Sequence, residues 1–169
     1  METEGGDLMR ILLAIDESEC SNRAVNYVAD VLRGRPDTEV MLFHVLAPLP
    51  PGLREHGGSE NPKKENKLEA KLRKAQQDWY ALEREAEEGI LQKARMTLVE
   101  KGLEEKQIQA KLGYEENIAR NIVETARAER VDTIVVGRHA RSGIKQFTLG
   151  EVTKRLIRSA GGLTIWIVE

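Results

Sequence analysis

The stretch Ile11-Leu12-Leu13-Ala14-Ile15-Asp16-Glu17-Ser18 decides the fold. Five apolar residues run without a polar break and stop at two acids and a serine. A strand with one wet face alternates apolar and polar residues. A continuous apolar run fits a strand covered on both faces, which is the habit of parallel sheets. Four more runs read the same way, so strands are expected at 9–15, 40–46, 108–112, 133–136 and 163–168. Helical patterns separate them, and the order is β-α-β-α-β-α-β-α-β. That alternation predicts an open α/β sheet of five parallel strands with right-handed crossovers and helices on both faces.

The first helix is expected to start at Ser18 or Ser21, either of which can cap it. Its buried stripe is Ala24, Val28, Val31 and Leu32. Gly34 and then Pro36 end it. A later helix opens at Glu115 and Glu116, acids suited to the positive end of a helix dipole. It buries Ile118, Ile122, Val123 and Ala126. The last helix runs over 151–159 with Val152 and Leu156 inward, and Gly161-Gly162 turns the chain into the final strand.

The connection after the second strand differs from the others. Residues 48–63 are rich in Pro and Gly and read as a mobile loop. A helical pattern then runs from 64 to 101 and meets Gly102. Leu68, Leu72, Ala75, Trp79, Leu82 and Ala86 follow one another at spacings of 4, 3, 4, 3 and 4, a heptad stripe. At about 1.5 Å per residue the helix exceeds about 50 Å, whereas a strand spans about 20 Å. The stripe is expected to cover the domain's own sheet edge, with packing on another subunit as the alternative.

One domain across residues 1–169 suits this length. Charged residues make up 32% and the net charge is −2, so nothing points to nucleic acid or an anionic membrane. No apolar run reaches the roughly 18 residues of a membrane helix. The acidic start is unlike a targeting peptide, and Cys20 is the only cysteine. A cytoplasmic location follows, with Cys20 a small packing residue. His44, His56 and His139 have no metal-ligand spacing, and His44 reads as a packed, hydrogen-bonded strand residue.

The candidate site is the loop between the fourth strand and the last helix. Gly137 ends the strand and Gly150 opens the helix, so backbone amides can come close to a ligand. Arg138, Arg141 and Lys145 add positive charge, and a helix start offers free N–H groups. The constellation can hold a phosphate; a glycine turn with solvated basic residues is the plainer reading. Asp16 can serve a ligand or cap the next helix.

Four segments in order resemble the universal stress protein family: the opening stretch to Ser18, Leu42-Phe43-His44-Val45, Val131-Asp132-Thr133-Ile134-Val135-Val136-Gly137, and Thr164-Ile165-Trp166-Ile167-Val168. The resemblance implies a single Rossmann-like domain of the adenine nucleotide alpha hydrolase-like type. In nucleotide-binding members the loop reads glycine, two residues, glycine, nine residues, glycine, then serine or threonine. Gly137 and Gly150 fit, whereas Ala140 stands at the middle glycine and Glu151 at the hydroxyl residue. The resemblance further implies roles for Asp16 near ribose and base, Val45 beside adenine, Arg138 and His139 in the loop, and Val152 and Thr153 by the phosphates. It also implies a homodimer through the strand Leu163-Thr164-Ile165-Trp166-Ile167-Val168.

The departures carry a functional expectation. A carboxylate at Glu151 satisfies the helix dipole by about 0.3–1 kcal/mol and repels a polyanion. It is expected to substitute for the phosphate. The sequence thus favours a dimeric stress-response interaction protein whose nucleotide loop is degenerate, with no firm cofactor. An ATP-binding stress regulator is the alternative, and a slow ATPase or phosphotransfer enzyme comes third. No nucleophile–base–orienter set is legible, so binding rather than catalysis is expected.

Overall fold

The structure, a computed structural model, describes residues 8–46, 49–54, 62–114, 117–138 and 149–169, with all their side chains except those of 62–65 and 86. Five strands form one sheet: β1 (Met9–Ala14), β2 (Thr38–Val45), β3 (Ile108–Gly113), β4 (Thr133–Gly137) and β5 (Thr164–Val168). Their spatial order is β3-β2-β1-β4-β5 and every pairing is parallel. Strand order reverses between β1 and β4, both of which lie inside the sheet.

The continuous apolar runs are explained by two cores. Ile11, Leu13 and Ile15 point to one face, where α1 (Glu19–Leu32) and the distal half of α3 (Pro62–Glu100) cover them. Leu12 points to the other face, under α4 (Ile118–Ala128) and α5 (Glu151–Ser159). Leu12 and Leu13 are both fully buried. Ser18 caps α1 by accepting the Ser21 N–H, and Gly34 at φ +72° follows the helix. Gly102 at φ +109° ends α3 in a Schellman motif: the Leu103 N–H bonds the Leu98 carbonyl and the Gly102 N–H the Val99 carbonyl. A left-handed residue is cheap only for glycine, and this one sits where the long helix must stop.

Four expectations change. The stretch read as a loop contains a helical turn, α2 (Pro51–Arg54), and α3 begins at Pro62; residues 55–61 lie outside the described residues. Asn117, not an acid, caps α4 by accepting the Arg120 N–H; Glu115 and Glu116 are outside the described residues. Ile118 is not in the core: it is 36% exposed and borders a cleft at the carboxyl ends of the strands.

The fourth change concerns the heptad stripe. Leu82 is 69% exposed and Leu68 41%, while Leu72, Ala75 and Trp79 are half-buried. The residues of α3 that reach the core are Leu91, Ala94 and Leu98. At 100° per residue that buried face lies roughly 110° around the helix from the stripe. A straight helix that presents Leu98 to the sheet must turn the stripe sideways. Gln76 instead donates to the Leu53 carbonyl and Tyr80 stacks edge-on against Tyr114, on the domain side.

Candidate functional site

The carboxyl ends of β1, β2 and β4 surround a cleft at the point where strand order reverses. In open parallel sheets this is where ligands are held. The cleft has about 110 Å³ of interior free volume and is open to solvent at its mouth. Phe43, Val45, Ile118, Ile122, Val136 and Val152 make it mainly apolar, and Asp16, Ser18, Ser21 and Thr153 supply the polar edge.

Local chemistry fixes that polar edge. The Asp16 N–H donates to Ser21 Oγ at 3.0 Å, and Asp16 Oδ1 accepts the Ser18 N–H at 2.9 Å. Ser18 Oγ in turn accepts the Ser21 N–H. This Asx-type turn orients the Asp16 carboxylate at the mouth of the cleft and leaves acceptor capacity on its second oxygen. Across the cleft, the buried Thr153 hydroxyl donates to the Gly137 carbonyl at 3.2 Å. A threonine hydroxyl can give up such a carbonyl for a stronger, charged acceptor.

Three helix starts face the cleft. Side chains cap α1 and α4, through Ser18 and Asn117. Gly150 is the N-cap of α5, and among the described residues no side chain caps that helix. The Lys154 N–H is the first to bond back, to the Gly150 carbonyl. The Gly150 N–H donates to the Arg138 carbonyl, and among the described residues the amides of Glu151, Val152 and Thr153 meet no acceptor; they offer the donors and partial positive charge that favour an anion.

The sequence-predicted residues divide. Asp16, Val45, Gly137, Gly150, Val152 and Thr153 line the cleft together. Arg138 does not: its guanidinium pairs with the carboxylate of Glu169. Glu151 does not either. Its carboxylate meets Arg155 Nε at 3.0 Å, one turn along the helix, and the side chain is 68% exposed. The expectation that Glu151 fills the site is therefore corrected. An acid at the first helical position has an arginine four residues on, and that pairing draws it along the outer surface. His139, Ala140, Arg141 and Lys145 lie outside the described residues.

Gly137 has a second reason to be glycine. A Cβ there would lie 2.8 Å from the Cys20 carbonyl carbon and 2.9 Å from its Cβ. β4 and the first turn of α1 therefore touch backbone to backbone, and Cys20 is a buried packing residue at that contact. His44 is likewise packed. Its Nδ1–H donates to the Ile15 carbonyl at 2.7 Å, and Nε2 lies 3.0 Å from Glu87 of α3. That second contact is one of distance only, since Glu87 Oε2 makes no aligned hydrogen bond.

Sequence reasoning missed the cleft's apolar wall. Ile118 and Ile122 stand four apart and were read as a core face; nothing in one sequence marks them as ligand-facing. Ser18 and Ser21 were read only as caps. Among the described residues no group of His, Cys, Asp and Glu has metal-binding geometry, and no helix is long and apolar enough to cross a membrane.

The fold is shared with known proteins. A family model described as the universal stress protein family matches residues 8–161. No curated protein matches the chain. Among solved structures, hypothetical protein MJ0577 is 20% identical with a TM-score of 0.69, over 96% of each chain. The universal stress protein UspA from Lactobacillus plantarum is 13% identical with a TM-score of 0.66, over 97% of this chain and 99% of that one. A universal stress protein in complex with cAMP is 17% identical with a TM-score of 0.62, over 97% and 98%.

Proposed function

The chain belongs to the universal stress protein family, and from that premise we propose that it binds an adenine nucleotide in the cleft between β1 and β4 and signals its presence without turning it over. The observation that carries this reading is the start of α5, which no described side chain caps, beside Thr153, with Glu151 turned away to Arg155. A phosphate placed there meets the backbone amides of the first turn, a hydroxyl and the positive end of the helix. The base has an apolar slot beside Val45, Phe43 and Ile122. The ribose hydroxyls can donate to Asp16. The similar structure that holds cAMP supports the same ligand class.

Titration calorimetry with ATP, AMP and cAMP tests the assignment. Thr153→Val and Asp16→Ala are each expected to weaken binding about tenfold, the loss of one charge-assisted hydrogen bond. If the native protein binds and neither variant weakens it, the nucleotide lies elsewhere.

A homodimer through β5 is a second reading, carried by a different observation. β5 is an edge of the sheet, and its Ile167 is 40% exposed. Trp166 beside it stacks edge-on against Tyr27. An exposed apolar edge strand invites pairing. Ile167→Glu should then shift sedimentation toward the monomer; an unchanged profile would remove β5 as an interface.

A further inference from the structure

We propose that the proximal half of α3 pairs antiparallel with the same segment of a second copy, about a two-fold axis passing at Gln77. The described residues of the domain cover the stripe only in part: Leu72, Ala75 and Trp79 are half-buried. Leu82 and Leu68 are exposed, and the sheet takes only the distal face of Leu91, Ala94 and Leu98. On the domain side Gln76, Tyr80 and Arg84 meet Leu53 and Tyr114, which leaves the stripe at the side of the helix and not beneath it.

Charge selects the occupant and its direction. Residues 67–74 carry four bases and one acid, a net +3. Residues 78–88 carry five acids and one base, a net −4. Parallel pairing of two copies sets like against like. Antiparallel pairing sets each basic segment against the partner's acidic one, twice over. Charge pairing of this kind fixes orientation in helical pairs. The stripe fits the same register. Leu72 falls opposite Leu82, and the small Ala75 opposite the large Trp79, so each layer joins complementary volumes. With the axis at Gln77, the two copies of Glu87 stand about 30 Å apart along the helices, at about 1.5 Å per residue, which sets the two domains at opposite ends of the seam.

Disulfide trapping tests this in a Cys20→Ser background. Leu72→Cys and Leu82→Cys chains are prepared separately, mixed and mildly oxidised. The mixture is expected to cross-link and each variant alone is not, because two copies of position 72 lie about 15 Å apart, beyond the roughly 7 Å a disulfide bridges. Cross-linking of either variant alone as well as the mixture overturns the antiparallel register. No cross-link from folded chains, verified by far-ultraviolet circular dichroism, overturns the pairing. Leu72→Glu with Leu82→Glu should weaken self-association at least about tenfold in sedimentation, with the helical signal unchanged. An unweakened assembly also overturns it. Ile167→Glu should leave the mixed cross-link intact, which separates this seam from β5; its loss in that variant counts against the seam.

Discussion

At the scale of single residues, Glu151 shows how little type and position can say. Its place at the loop's hydroxyl position was legible, and so was its repulsion of a polyanion. Its direction was not, because that depends on Arg155 competing for the carboxylate from one turn away. An exposed pair of this kind is worth about 0–1 kcal/mol, and a nucleotide can rearrange it. Glu151→Ser should therefore change ATP affinity less than about threefold in calorimetry. A gain of tenfold or more would restore the blocking role that the structure denies it. Gly137 makes the opposite case, since its importance was legible but its cause was not. The Cys20 backbone is what a side chain there would strike. Gly137→Ala should lower stability by about 1–3 kcal/mol in denaturant melts even without ligand. A neutral result would mean that β4 and α1 can part without cost. Asp16 and Thr153 were placed at the site by resemblance, and the structure sets them on opposite edges of one cleft.

At the scale of elements, the strands were legible because each carries its own signal, an unbroken apolar run. Helix ends were legible where glycine marks them, as Gly102 does for α3. They were not where another residue takes the left-handed turn. α4 ends in the same Schellman motif on Arg130 at φ +54°, which nothing in its residue type announces. The long helix was legible in extent but not in facing. Periodicity identified a stripe at Leu68–Leu72–Ala75–Trp79–Leu82, and the sheet chose another face further along. Which face is buried depends on where β1 and β2 lie, and no local pattern holds that information. Truncation separates the two halves. Leu98→Ala should cost about 2–5 kcal/mol, since Leu98 is fully buried. Leu82→Ala should stay within about 0.5 kcal/mol at concentrations where the chain is monomeric. Equal losses in chemical denaturation would mean that the stripe is core after all.

At the scale of the molecule, the order β3-β2-β1-β4-β5 explains why one end of the sheet carries the site. The crossovers after β1 and β2 leave in one direction and that after β4 in the other, which opens a crevice that the helices cannot fill. Alternating strands and helices in the sequence already implied such a crevice. They could not show that three helix starts converge on it, or that among the described residues only that of α5 lacks a side-chain cap. Two separate apolar surfaces, the β5 edge and the α3 stripe, would each pair isologously. If both are used, assembly continues beyond two copies. The central claim is tested on the native protein by isothermal titration with ATP. Saturable binding of one nucleotide per chain is expected with a Kd below about 1 mM, about −4 kcal/mol or better, lost in the Asp16→Ala, Thr153→Val double variant. No heat of binding at millimolar nucleotide, from protein shown to be folded, would contradict it.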